Sequence, residues 1–117
     1  MNIEKIQQRL EKFSKIRDWE QFHNPKNLAM ALSVEVAELV EIFQWSNNGG
    51  LAEIKDPKKK DRIKEEIADI FIYLIKISNK LDLNIEEIIN QKIDKNEKKY
   101  PVEQSKGNSL KYTEFDE

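Results

Sequence analysis

Residues 35–45 read EVAELVEIFQW, and their apolar side chains recur at the three- and four-residue spacing of an amphipathic helix. Glu35 falls in the middle of the apolar stripe, Glu38 lies at its edge, and Glu41 lies further round towards solvent. An unpaired carboxylate on a buried face is strongly unfavourable. Glu35 therefore needs a cation or hydrogen-bond donors beside it, so the segment predicts both a helix and a site.

Outward from this segment, the same periodicity predicts four helices separated by short breaks. Asn24-Pro25 and Asp56-Pro57 each place a capping residue before a proline, which is a common helix start, and Asn84 opens a capping box. No stretch shows sustained two-residue alternation, so strands are not expected. The predicted helices cover about residues 3–16, 26–45, 57–81 and 84–99, and a polar tail follows over 102–117.

These elements predict an all-α fold, a four-helix bundle that forms a single domain over residues 1–117. The third helix is apolar nearly all round over residues 67–77, which indicates burial on more than one side. Because so short a chain buries only a modest core when alone, we expect oligomerisation to complete the bundle.

Composition excludes several classes of protein. The net charge of −2 argues against a partner that is a nucleic-acid polymer, since binders of this kind carry a marked basic excess. The absence of cysteine excludes disulfides, thiolate catalysis and zinc–thiolate sites. The N-terminal residues lack the apolar core of a secretory signal, and no run approaches membrane-spanning length. A cytoplasmic protein without a membrane partner is expected.

A second pair of carboxylates repeats the first. Glu66 and Asp69 border an apolar stripe in the third helix, at the spacing that separates Glu35 from Glu38. Side chains three residues apart on a helix project to the same side, and an antiparallel reversal would bring both pairs to one level. Four facing carboxylates repel each other unless a divalent cation lies between them. Oxygen-only ligation with a single histidine in the chain favours Mg²⁺, or Mn²⁺, over zinc.

Chance is the alternative explanation, because 22 of the 117 residues are acidic. Glu53 and Asp56 show the same spacing, and we assign them no function. Two matched pairs, both beside apolar stripes and equidistant from a turn, nevertheless favour a metal site over surface charge.

The fourth helix carries a strip of hydrogen-bond donors. Lys92, Asn96 and Tyr100 follow at four-residue intervals, and Lys99 completes the set that we predict to bind phosphate. Lysine on such a face is more often a side chain that only reaches past apolar neighbours towards solvent. A carboxylate-bound Mg²⁺, however, usually completes its shell with phosphate oxygens. Metal ligands and phosphate donors together indicate a nucleotide.

Aromatic residues supply candidates for contact with a nucleobase. Each of them alone is more often a core residue, but residues 17–25 concentrate aromatic and polar side chains in a predicted loop, where a packing role is less automatic. Stacking on a base and hydrogen bonding to its edge suit this mixture. The candidates are Trp19, Phe22, His23, Trp45 and Tyr73.

The combination resembles a known family. EVAELVEIFQW at 35–45 and EEIADIFIYL at 65–74 are similar to the ExxE…ExxD signature of the MazG-like, all-α nucleoside triphosphate pyrophosphohydrolases. Three further segments resemble the dCTP pyrophosphatase branch of that family: RDWEQFHNPKNL at 17–28, KIDKNEKKYP at 92–101 and SKGNSLKYTE at 105–114. The likeness extends over about residues 17–114.

The resemblance implies hydrolysis of a deoxynucleoside triphosphate to a monophosphate and pyrophosphate with Mg²⁺. It also implies a homodimer or homotetramer with sites near subunit interfaces. Carried over by motif, it implies metal ligation by Glu35, Glu38, Glu66 and Asp69, phosphate contacts from Lys92 and Asn96, and a base pocket with Trp19, His23, Trp45 and Tyr73 that Asn27 assists.

The sequence leaves alternatives for the residue that acts as the base and for the substrate. Mg²⁺ would orient water for in-line attack at a phosphorus, and either Glu38 or Glu41 would accept the proton of that water. The substrate is expected to be dCTP or a modified dCTP, with dUTP or a broad set of triphosphates as the alternative. A non-catalytic oligomerisation or regulatory module is the alternative from another class.

Overall fold

The computed structural model describes residues 1–115, and every regular element in that range is helical. Three short 3₁₀ turns, at Glu20–Phe22, Glu53–Lys55 and Tyr112–Glu114, accompany the α-helices. The predicted all-α fold is therefore confirmed. The α-helices are α1 (Ile3–Ile16), α2 (Pro25–Phe43), α3 (Pro57–Lys80), α4 (Ile85–Lys99) and the short α5 (Val102–Ser105).

The helix starts follow from capping chemistry. The side chain of Asn24 accepts a hydrogen bond from the Asn27 backbone N–H at 2.8 Å, which satisfies one of the free donors at the start of α2. Asp56 caps α3 in the same way, accepting from the Lys58 N–H at 3.0 Å, and Asn84 caps α4. All three predicted starts are confirmed to within one residue. α2 ends at Phe43, two residues earlier than predicted, because the chain turns there and the Ser46 N–H donates to the Phe43 carbonyl at 2.9 Å.

The chain divides into two compact units, Met1–Leu83 and a second that begins at Asn84. In the first unit, α2 packs along α3, and α1 packs on α3 as well. Its most deeply buried apolar residues are Leu28, Ile42 and Ile75. In the second unit, Ile85 at the start of α4 is buried. A single domain over residues 1–117 stays a prediction.

Within the second unit, part of the predicted polar tail packs against the end of α4. The ring of Tyr100 contacts those of Tyr112 and Phe115 edge-on, at centroid distances of 6.1 and 5.7 Å. The Lys99 ammonium lies 5.0 Å from the centre of the Tyr112 ring. These contacts hold the segment after α5 against the end of α4. The last two residues of the tail, 116 and 117, lie outside the described range.

The loop between α2 and α3 is held by Ser46. Its hydroxyl accepts a hydrogen bond from the Gly50 N–H at 2.7 Å and donates to the buried carboxylate of Glu53 at 3.1 Å. Glu53 thus fixes the chain reversal, and Asp56 caps the helix that follows. Both residues have structural roles, although they share the spacing of the candidate ligand pairs.

Substitution of Gly50 by alanine is expected to destabilise the protein more than the same change at Gly49. Both glycines have positive φ, +90° and +71° respectively, which costs an alanine about 1–2 kcal/mol. A Cβ at Gly50 would also lie 2.8 Å from Cδ1 of Phe43, whereas a Cβ at Gly49 meets open space. Urea unfolding of Gly50→Ala and Gly49→Ala measures the difference, and equal losses of unfolding free energy would contradict this account of the loop.

Within residues 1–115, each helix is too short or too polar to cross a membrane.

Candidate active site

Three carboxylates from two helices meet in the first unit. Glu35 and Glu38 lie one turn apart on α2, and Glu66 lies in the first half of α3. Each offers one oxygen, and these oxygens lie within 4.8 Å of one another. Oxygen ligands of one hard cation sit about 2.0–2.6 Å from it, so such oxygens are at most about 4–5 Å apart. The group has the dimensions of a site for one divalent ion.

The cluster lacks the partners that buried carboxylates normally require. Oε2 of Glu35 and Oε2 of Glu66 are buried, and neither has a hydrogen-bond donor. No lysine or arginine among residues 1–115 forms an ion pair with Glu35, Glu38 or Glu66. Buried anionic oxygens of this kind are stable only when a cation or a proton compensates them. An all-oxygen donor set fits a hard divalent metal such as Mg²⁺ or Mn²⁺.

The electrostatics of the cluster show the same deficit of positive charge. Burial raises the pKa of Glu35 to about 7, and its contacts with Glu66 and Glu38 and the charge of Asp69 act in the same direction. The contact with Glu35 lowers the pKa of Glu66, but burial and the neighbouring Glu38 and Asp69 raise it by more, so the pKa of Glu66 also lies above its ordinary value. Near neutral pH, therefore, Glu35 is partly protonated, and a metal ion that binds to the cluster would displace this proton.

Asp69, the fourth predicted ligand, lies beside this group. Its oxygens are not among those within 4.8 Å of one another, yet its charge raises the pKa of both Glu35 and Glu66. Glu41, one of the two predicted bases, is exposed to solvent and stands outside the group. Three of the four predicted ligands are thus brought together. The fourth, Asp69, lies close enough for its charge to raise the pKa of two of them.

Tyr73 lies close to the carboxylates. Its pKa is raised, first by burial and then by the negative charges of Glu35 and Asp69. The Lys76 ammonium lies 5.9 Å from the centre of the Tyr73 ring. Tyr73 is therefore a predicted base-pocket residue that the structure places close enough to the candidate ligands for their charges to act on it.

The predicted aromatic loop forms a small ring cluster. Trp19 contacts Phe13 and His23 edge-on, at centroid distances of 5.6 and 6.4 Å. The Asn27 side chain donates to the Phe22 carbonyl at 2.9 Å, so within this chain it fixes the loop. Phe22 itself is 58% exposed. The pKa of His23 is lowered, chiefly by burial and then by Lys76 and Lys80, while Glu20 acts in the opposite direction.

Trp45 is separated from His23, another base-pocket candidate. It follows the C-terminal end of α2, whereas His23 precedes the N-terminal end of the same helix. A helix of 19 residues is about 28 Å long. The Trp45 side chain is 85% exposed. Trp45 and His23 of one chain therefore cannot contact the same base.

The predicted phosphate-binding residues lie in the second unit. Lys92 and Asn96 are exposed on α4, Lys99 is half-buried, and Tyr100 belongs to the ring cluster described above. Their approach to the carboxylates stays a prediction.

A cavity of about 380 Å³ opens in the first unit and was not predicted. Its lining includes His23, Lys76, Asn79 and Lys80. Lys76 was not among the predicted site residues, because a single lysine in a helix of mixed charge does not form a recognisable sequence pattern. The available clue was its place on α3, seven residues after Asp69 and three after Tyr73.

Comparison with known proteins places this geometry in a family. The model of the MazG-like family matches residues 30–115, a range that includes all four predicted metal ligands. Rat dCTP pyrophosphatase 1 is 37% identical over 114 residues, which is 97% of this chain and 67% of that protein, and the human protein is 36% identical over the same lengths. The crystal structure of a pyrophosphatase from Archaeoglobus fulgidus is also similar, with a TM-score of 0.79 and 40% identity over 86% of this chain and 94% of that one.

These matches confirm the resemblance read from the two carboxylate motifs. They extend over nearly the whole chain, and they agree in both sequence and fold. Pyrophosphatases of this kind are generally metal-dependent, which agrees with an acidic cluster that can hold a metal. The chain therefore belongs to the MazG-like family, and it is a hydrolase.

Proposed function

We propose that the protein hydrolyses dCTP, or a modified dCTP, to the monophosphate and pyrophosphate with Mg²⁺. The observation that carries the proposal is the cluster of Glu35, Glu38 and Glu66, two of whose buried oxygens lack donors, in a chain 36–38% identical to dCTP pyrophosphatases. The same geometry is compatible with dUTP or a broader set of triphosphates, because the cluster would contact only the metal and the phosphates, which all of these substrates share.

Each carboxylate has a defined part in this proposal. Glu35, Glu38 and Glu66 would hold the metal, with Asp69 as a further ligand or as a charge beside them. When bound, Mg²⁺ supplies charge neutralisation for the phosphate oxygens. A water molecule attacks a phosphorus, the bond from that phosphorus to the leaving oxygen breaks, and a carboxylate accepts the proton of the water.

Glu38 is the better supported of the two candidate bases. It lies within the group of three, whereas Glu41 is exposed and outside it. Unlike Glu35 and Glu66, Glu38 has no buried oxygen that lacks a partner. Glu38 therefore lies beside the metal site and differs from Glu35 and Glu66 in having an oxygen that can accept a proton from water.

Assembly with a second copy of the chain is part of the proposal. α2 and α3 expose apolar side chains at helical spacing, Val36 and Val40 on α2 and Ile67 and Phe71 on α3, each between 41% and 58% exposed. A second copy that covers such a surface would gain from the hydrophobic effect. It would also bring its Trp45 to a base that contacts His23 of the first copy, which the Trp45 of that first copy cannot do. The number of subunits, two in a homodimer or four in a homotetramer, stays a prediction, and so does a cytoplasmic location.

The direct test measures pyrophosphate release from a panel of deoxynucleoside triphosphates with Mg²⁺. We expect the highest kcat/KM with dCTP, and dCMP with pyrophosphate as the products. Equal rates with all bases would support the broad-specificity alternative. Absence of turnover in folded protein that still binds Mg²⁺ would support a non-catalytic module instead.

A further inference from the structure

The cavity of the first unit contains a lysine with no acidic partner. Lys76 is half-buried, and no carboxylate among residues 1–115 forms an ion pair with it. Its ammonium donates one hydrogen bond, to the hydroxyl of the buried Ser14 at 3.3 Å. An ammonium has three N–H donors, so two remain for a ligand in the cavity. A half-buried cation held in this way is costly unless something compensates it.

Asn79 lines the same cavity, and its orientation is fixed. Its amide nitrogen donates to Glu11 Oε1 at 2.8 Å, and a carboxylate can only accept, so the NH₂ group must face Glu11. The amide oxygen of Asn79 is thereby left as an acceptor. Lys76 and Asn79 are three residues apart on α3 and project to the same side of the helix. The residues that line the cavity therefore include a donor and an acceptor one helical turn apart on α3.

This pair lies on the helix that also supplies the metal ligands. Glu66, Asp69, Tyr73 and Lys76 follow one another at intervals of three or four residues, which places them along one face of α3. From Asp69 to Lys76 the helix rises about 10 Å. That rise is comparable to the reach of a nucleotide from its phosphates to its base. A nucleotide that has its phosphates at the carboxylates and extends along this face of α3 would therefore have its base near the cavity.

We propose that Lys76 and Asn79 select cytosine over uracil by hydrogen bonding to the edge of the base. This inference rests on the proposed function and extends it to the substrate's base. Cytosine presents an amino donor at N4 beside acceptors at N3 and O2, which matches an amide oxygen next to an ammonium. Uracil held in the same register by its phosphates would present its O4 acceptor to the amide oxygen and its N3 donor to the ammonium, so both contacts would be repulsive. Ser14 is a positioning residue, because it holds the ammonium that contacts the base.

The test compares binding of dCMP and dUMP by titration calorimetry, and it requires no turnover. We expect the wild-type protein to prefer dCMP. Lys76→Met keeps the length of the side chain and removes its charge, and we expect it to weaken dCMP binding about tenfold to a hundredfold while dUMP binding is unchanged or tighter. Ser14→Ala is expected to lower the preference in the same direction by a smaller factor. Mg²⁺ affinity without nucleotide should not change in either variant.

Lys64→Met is the matched control, since Lys64 is an exposed lysine of α3 that forms an ion pair with Asp61. It should leave the preference for dCMP unchanged, and thermal unfolding verifies that all the variants are folded. A preference that survives Lys76→Met, or a wild-type protein without preference, would overturn the inference. A protein that fails to hydrolyse dCTP but binds dCMP in a Lys76-dependent manner would contradict the proposed function and uphold the inference.

Discussion

Replacement of Glu35 by glutamine is expected to lower turnover by more than about a hundredfold, since even the outer partners of metal ligands commonly contribute tenfold to a hundredfold. Glutamine keeps the shape of the side chain but removes the anionic oxygen that would bind the metal. Steady-state hydrolysis of dCTP at saturating Mg²⁺ measures the effect. Near-full activity in this variant would show that Glu35 is not a ligand.

The same variant should be at least as stable as the wild type without metal. The pKa of Glu35 in the folded protein, about 7, lies above its ordinary value of 4.5. Between these two values the folded state holds the proton more tightly than the unfolded state. Unfolding free energy from this group therefore falls as pH rises from about 4.5 to 7, and it levels off above that range.

Glu35→Gln removes this dependence on pH. Denaturant unfolding of the metal-free wild type and the variant at several pH values between 4.5 and 8 gives the difference directly. We expect the variant to gain relative stability as pH rises through the window. A constant difference would mean that Glu35 titrates normally. Glu65→Gln is a suitable control, because Glu65 neighbours Glu66 in sequence but is exposed and outside the cluster.

Replacement of Trp45 by alanine is expected to lower kcat/KM for dCTP by about tenfold to a hundredfold. Stacking between an aromatic side chain and a base contributes about 1–3 kcal/mol by alanine substitution. Metal affinity should remain near the wild-type value, because Trp45 lies ten residues beyond Glu35 on the exposed end of the α2 segment. Steady-state kinetics together with Mg²⁺ titration separates the two effects.

Mixed oligomers test whether Trp45 acts across a subunit interface. Glu35→Gln and Trp45→Ala each impair a site, but in different parts of the chain. If Trp45 of one copy completes the site of another, co-refolded mixtures contain sites with both residues intact, and activity should exceed that of either variant alone. Activity equal to the average of the separate variants would place Trp45 outside the neighbouring site.

Much of the structure of the first unit could be predicted, because the sequence features that specify it lie close together in the chain. The starts of α2 and α3 follow from Asn24-Pro25 and Asp56-Pro57, where side-chain caps satisfy free backbone donors. The proximity of Glu35, Glu38 and Glu66 could be predicted as well, because helical spacing and one chain reversal are sufficient to bring them together. The early end of α2 could not, since it depends on how the turn at Ser46 is held.

Sequence by itself determined the helices, the two carboxylate pairs and the resemblance to the MazG-like family. Each of these depends on residues close in the chain, where spacing alone sets geometry. Tertiary structure decided which carboxylate oxygens lack donors, and that Lys76 lines a cavity together with Asn79. Those features depend on contacts between helices, such as the bond from Lys76 to Ser14, which links residues 62 positions apart. Burial and partner identity are properties of packing, and no local pattern specifies them.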